Sequence, residues 1–95
     1  VIDTGVQKDH PDLKNNIVGG INVIHLNEKA PIEENWNDDH GHGTHVAGII
    51  AAEDNDIGVV GVAPLAKIYA VKALNMQGSG SESDVSDGVM DCVNK

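Results

Sequence analysis

The 95-residue chain contains no phenylalanine and no arginine, and Trp36 and Tyr69 are its only aromatic side chains. Burial therefore falls to Val, Ile, Leu and Ala, which suit a parallel sheet covered by helices. Cys92 is the sole cysteine, which excludes an internal disulfide and leaves the redox compartment open. No apolar run is long enough to cross a bilayer as a helix. Positive charge is scarce: six lysines face fifteen carboxylates, for a net charge of −9. That balance argues against nucleic acid or a membrane surface as partner. No signal peptide is visible, an absence that carries little weight. The chain opens on strand-like Val1-Ile2 without Met and stops at Lys95 inside a helical pattern, whereas natural ends usually fall in polar, mobile segments. The expectation is an internal fragment of one domain, residues 1–95, with room for one small core.

What is present alternates strand and helix signals. Val1-Ile2 reads as the end of a buried strand, broken by Asp3-Thr4-Gly5, and His10-Pro11-Asp12-Leu13 as a turn. Residues 17–24 read as a second strand, with Gly19-Gly20 marking a bend or bulge. The polar stretch 25–41 is the longest candidate loop. Residues 43–52 are small and apolar, which predicts a helix buried on most sides. Residues 67–74 predict a third strand, on which Lys72 is expected to reach solvent. After the linker-like 77–81, Val85, Val89 and Cys92-Val93 recur at helical spacing opposite Asp84, Asp87 and Asp91, and Ser81 with Asp84 resembles a capping pair. The class is α/β.

Asp3 closes an apolar strand, and His42 lies among glycines just before the apolar helix, in Asp39-His40-Gly41-His42-Gly43-Thr44-His45-Val46-Ala47-Gly48. A carboxylate at a strand end and an imidazole at a helix start are two thirds of a charge-oriented nucleophile system. An imidazole can take a proton from a hydroxyl and return it to a leaving amine near neutral pH, and a carboxylate on Nδ1–H fixes its tautomer. Taken alone, Asp3 reads rather as a strand-terminating turn residue, since Asp-Thr-Gly is short. His40-x-His42-x-x-His45 is also compatible with the clustered imidazoles of a zinc hydrolase. Ser79, Ser81, Ser83 and Ser86 sit in no nucleophile elbow, and linker polarity or capping accounts for them.

Five segments in order carry a resemblance: Val1-Ile2-Asp3-Thr4-Gly5, His10-Pro11-Asp12-Leu13, His42 to Gly48, Gly58 to Pro64, and Tyr69-Ala70-Val71-Lys72 leading to Gly78-Ser79-Gly80. Together they resemble the N-terminal part of the catalytic domain of subtilisin-like serine proteases, peptidase family S8. The resemblance implies a three-layer α/β fold with a mostly parallel sheet, of which this chain holds an incomplete part. It implies peptide-bond hydrolysis through an acyl-enzyme, with Asp3 orienting, His42 shuttling the proton, and a serine beyond Lys95 attacking. His45 becomes a buried structural histidine, and His10 and His25 stay on the surface. Such an activity takes polypeptide substrates and no organic cofactor, and a pro-peptide inhibitor is a further expected partner. Relatives are mostly secreted, with intracellular members known, so an extracellular location is expected.

The resemblance also assigns a calcium site, with side chains of Asp12 and Asn55 and carbonyls of Glu53, Ile57 and Val59 as ligands. Calcium takes six to eight oxygens, which a tight loop can supply. Taken by itself, this stretch reads as an acidic surface turn. Gly78, Ser79 and Gly80 resemble the edge segment that pairs with extended substrate as an added strand. Leu74 is then expected to line an apolar subsite, and Glu82 with Val85 a more distant one. Some relatives carry an aromatic where Glu82 stands, which suggests a less apolar subsite here, tolerant of basic side chains. Two alternatives are a metal-dependent hydrolase built on His40, His42 and His45, and a noncatalytic calcium-stabilised relative.

Overall fold

Branched and small apolar residues dominate the central strand, Ile68–Lys72, and four of its five residues are buried, as suits a strand covered on both faces. The computed structural model describes residues 1–24, 34–54 and 60–94. In chain order these form β1 (Ile2–Asp3), β2 (Ile17–Asn22), α1 (His42–Ala51), β3 (Ile68–Lys72) and α2 (Glu82–Val93). The strands are parallel in the order β1-β3-β2, with Ile2 opposite Val71, Asp3 opposite Lys72, and Asn22 opposite Lys72 on the other side. An irregularity between Ile17 and Gly19 shifts the β2 register, at the bend expected from the glycine pair.

Successive residues of β3 face opposite sides, so two cores form. Ile68 and Ala70 pack with Val6, Leu13, Ala47, Ala51 and Ala52 beneath α1. Val71 and Ala73 pack with Val23, Ile2, Ile21 and Tyr69 on the side of α2, where a Cβ on Gly88 would lie 2.9 Å from the Val71 side chain. The sheet is thus covered on both faces, in the three-layer α/β arrangement expected.

Two helix expectations change. α1 is buried along one stripe only, through Gly43, Ala47 and Ala51, while Ile49 and Ile50 are exposed. α2 turns its valines outward: Val89 is 46 % and Val93 70 % exposed. Its buried positions are Asp84 and Gly88 instead, and the Tyr69 hydroxyl donates to Asp91 at 3.1 Å. The reason is closeness of approach. The stripe through Gly88 lets the helix backbone meet the sheet, whereas bulkier valines hold it away. Ser81 does cap α2, its Oγ accepting from the Asp84 amide at 3.0 Å.

Candidate active site

Asp3 ends β1 with its backbone fully engaged. Its carbonyl accepts from the amides of Ala73 at 2.9 Å and Leu74 at 3.1 Å, just past the end of β3. Its carboxylate, buried at the strand end, accepts from the Thr4 amide at 2.7 Å. The first residue of α1 stands over it: His42 Nδ1 lies 2.9 Å from Asp3 Oδ1 and 2.8 Å from Oδ2. The imidazole is 59 % exposed against 11 % for the carboxylate side chain. One ring nitrogen is held by a buried anion, and most of the ring remains open to a reactant. The pair can therefore accept a proton from a group arriving from solvent while the carboxylate offsets the imidazolium charge.

The close approach of α1 to β1 depends on Gly43. A Cβ there would lie 2.0 Å from the Gly5 carbonyl oxygen and 3.2 Å from Asp3 Cβ. The open amides of the first helical turn are all satisfied, though Gly41 before the helix offers no side-chain cap and turns at φ +113°. The His42 amide donates to His40 Nδ1 at 3.3 Å, and the Gly43 amide to Thr4 Oγ1 at 2.9 Å. The Thr44 amide donates to Asp38 Oδ2 at 3.0 Å, and the His45 amide to the Gly41 carbonyl at 3.0 Å.

Asp38 is the anion of this helix start. Besides the Thr44 amide it accepts from the Thr44 hydroxyl at 2.6 Å, the Thr4 hydroxyl at 2.8 Å, and the amides of His40 and Gly41 at 2.9 Å each. Burial alone would raise its pKa. The hydrogen bonds from the Thr44 hydroxyl and from the Gly41, His40 and Thr44 amides outweigh that and hold the carboxyl well below the usual carboxylate range. Thr4 links the two acids: its amide donates to Asp3, its hydroxyl donates to Asp38, and the same oxygen accepts from Gly43.

Lys72 differs from expectation. It is buried, with Nζ 2.8 Å from the Thr4 carbonyl and 2.6 Å from Asp39 Oδ1. Its strand position puts it on the α1 side beside Asp3, where the sheet end is closed over and an acidic partner 33 residues away is within reach. His45 departs as well: it is exposed, because the buried stripe of α1 runs through Gly43 and Ala47. It lines a cavity of about 760 Å³ with His10, Asp12, Thr44 and Ile49, and neither Asp3 nor His42 borders that cavity. His40 and His42 stack edge to face with centroids 6.3 Å apart. Among the described residues, His40, His42 and His45 do not gather into a metal-binding group. His10 is half-buried rather than on the open surface, its Nδ1 accepting from the Asp12 amide at 3.1 Å, and His25 lies outside the described residues.

The segment after β3 runs beside this pair. A Cβ on Gly78 would lie 3.2 Å from His40 Nε2, and Gly80 packs against the Ala73 carbonyl and the half-buried Leu74. Asn75 closes the turn: its amide donates to the Ser79 carbonyl at 2.8 Å, its Oδ1 accepts from the Ser79 amide at 3.1 Å, and its carbonyl accepts from the Gly78 amide at 2.8 Å. Ser79 is thereby committed internally. Among the described residues, the Gly78 carbonyl and both backbone groups of Gly80 make no hydrogen bond. Glu82 and Val85 are exposed on the first turn of α2.

Of the residues assigned to calcium, Asp12 and Glu53 are adjacent, the Glu53 amide donating to the Asp12 carbonyl at 2.8 Å. Asp12 is buried, and the Glu53 carboxylate accepts from the amide and side chain of Asn15. Asn55, Ile57 and Val59 lie outside the described residues.

Thr4, Asp38, Asp39 and Lys72 escaped the sequence reading as parts of this site. A faint signal existed for Asp38, an acid shortly before a helix start, and for Thr4 beside a candidate acid. None existed for Lys72, whose partners come from two other segments.

Comparison with known proteins follows the same lines. The family model described as the subtilase family, Peptidase S8, matches residues 1–95. An intracellular serine protease of Paenibacillus polymyxa is 52% identical over 89 residues, covering 94% of this chain and 27% of the relative. A thermostable alkaline protease of Halalkalibacterium halodurans is 49% identical over 94 residues, covering 99% and 24%. Subtilisin Savinase of Lederbergia lenta is 52% identical over 89 residues, covering 94% and 30%. The chain thus spans less than a third of the length of these relatives.

Proposed function

Because the chain belongs to the subtilase family, we propose that its 95 residues supply the acid and base of a serine endopeptidase. The observation that carries this reading is the contact of the buried Asp3 carboxylate with Nδ1 of the exposed His42 ring. Asp3 accepts from Nδ1–H and fixes the tautomer, so that Nε2 is the basic nitrogen. Nε2 takes the proton of a serine hydroxyl as that oxygen bonds to the substrate carbonyl carbon, and returns it to the amine as the C–N bond breaks. A water then repeats the sequence on the acyl ester, giving its proton to His42 and releasing the acid. None of the serines in α2 or its linker sits in a nucleophile elbow, and the greater length of the similar proteins leaves room for the attacking serine elsewhere.

Extended substrate adds as a strand along residues 78–80, offered the Gly78 carbonyl and the Gly80 amide and carbonyl, the groups without partners among the described residues. Leu74 lines the subsite nearest His42, and Glu82 with Val85 a farther one that accepts basic side chains; strong aromatic preference in a cleavage profile would refute the latter. A pro-peptide occupying the same edge is the expected inhibitor. Asp12 and residues 53–59 form a structural calcium site in this reading; the buried carboxylate beside the Glu53 backbone suits a hard cation that takes oxygen ligands. An extracellular location is proposed on the resemblance, although one similar protein is named as intracellular; activity in the medium rather than in the cells is the expected finding.

The deciding experiment is labelling of the full-length protein with a fluorophosphonate. One covalent adduct, lost on His42→Ala and insensitive to chelator, is expected. No adduct in a folded protein means a noncatalytic relative, and activity abolished only by chelation means a metal-dependent hydrolase.

A further inference from the structure

Lys72 is a buried cation that the chemistry above does not use. Among the described residues its ammonium makes two contacts, and each leads to the proposed reacting pair. The Thr4 carbonyl, 2.8 Å away, belongs to the residue whose amide donates to Asp3 and whose hydroxyl bridges Asp38 and Gly43. Asp39, 2.6 Å away, lies in the loop that delivers His42. The ammonium is thus the point at which three segments meet: the end of β3, the exit of β1 and the approach to α1. Burying an ammonium at 6 % side-chain exposure costs free energy that close oxygen partners must offset, so the contact fixes both loops against one rigid strand. Among the described residues, the charged or titratable groups seen in contact with His42 are Asp3 from β1 and His40 from its own loop.

We propose that Lys72, paired with Asp39, is a positioning residue for the proposed proteolysis: it holds the exit of β1 and the start of α1 in the register that keeps Asp3 on Nδ1 of His42. The inference rests on the serine-endopeptidase reading for its kinetic part, but its structural part can be tested without turnover. A hydrogen bond shared between imidazole Nδ1–H and a carboxylate gives a low-field proton resonance, which reports the Asp3–His42 contact directly.

The test uses the full-length protein with labelled histidine, at a single pH, in the variants Lys72→Met, Asp39→Asn and Asp39→Glu. Loss of registration by a fraction of an ångström to an ångström should lower kcat by about 30- to 100-fold in Lys72→Met and about 3- to 10-fold in Asp39→Asn, with KM within about twofold. The His42 resonance should move upfield or broaden in both, and Asp39→Glu, which keeps the charge, should restore kcat and resonance together. Unchanged kcat and resonance in Asp39→Asn and Lys72→Met overturn the proposal, even if melting temperatures fall. A lower kcat with an unmoved resonance overturns it too, because the effect then bypasses the Asp3–His42 contact. If Lys72→Met does not fold, Asp39→Asn decides alone. If the parent protein neither cleaves peptide nor takes a fluorophosphonate, the protease reading fails, while the resonance still decides the role of Lys72.

Discussion

Replacing Gly43 by alanine tests the site's geometry, because local and tertiary effects have opposite signs. In an ordinary helix interior, alanine is favoured over glycine by about 1 kcal/mol. Here the added Cβ would sit 2.0 Å from the Gly5 carbonyl oxygen, against a comfortable C···O separation of about 3.3 Å, so a shift of roughly 1.3 Å is needed. β1 cannot easily supply it, since the Asp3 carbonyl is held by Ala73 and Leu74 and the Thr4 carbonyl by Lys72. The start of α1 must move, stretching the 2.9 Å Gly43–Thr4 hydrogen bond and the 2.8 Å His42–Asp3 contact beside it. Overpacking of this kind costs about 1–3 kcal/mol. A displacement near 1 Å at reacting groups costs about 10²-fold in rate. Full-length Gly43→Ala should therefore melt at a lower temperature and lose about 10²-fold in kcat on a chromogenic peptide, with active sites counted by titration. A variant that is stabilised, or that keeps kcat within about threefold, would show that α1 does not meet β1 this closely.

Further outcomes follow from the same contacts. Asp3→Asn should leave KM nearly unchanged and lower kcat by about 10⁴, because an amide cannot hold the tautomer or offset the imidazolium; full turnover in steady-state assays would remove Asp3 from the mechanism. Asp38 has a depressed carboxyl pKa in the folded chain, so its stabilisation is complete above about pH 4 and is lost as pH falls towards the folded value. The melting-temperature gap between the parent and Asp38→Asn should accordingly narrow below about pH 4, and a gap that stays constant on acidification contradicts the assignment. Chelation should lower the melting temperature of the full-length protein, and Asp12→Asn should abolish that response; identical melting curves with and without EDTA would dismiss the calcium site.

Sequence by itself determined the alternation of elements and singled out the two residues, Asp3 and His42, that the fold brings into contact. Alternating apolar patterns and glycine punctuation are local, so the three strands, α1 and the Ser81 cap were legible at nearly their observed limits. Asp3 and His42 were legible as a pair because each sits at the end of a local element, where a side chain is free to meet one from another segment. Tertiary structure decided what depended on distance between segments. The valines of α2 read as its buried stripe, yet the helix turned to bring Gly88 against Val71, since backbone proximity to the sheet outweighed side-chain hydrophobicity. His45 faced away from the sheet because the small residues of α1 lined one stripe alone. Lys72 read as a solvent-reaching residue, and it became the buried junction of three segments only because Asp39 and the Thr4 carbonyl came within hydrogen-bond reach. A charge's environment is a property of its non-local neighbours, and those exist only once the chain has folded.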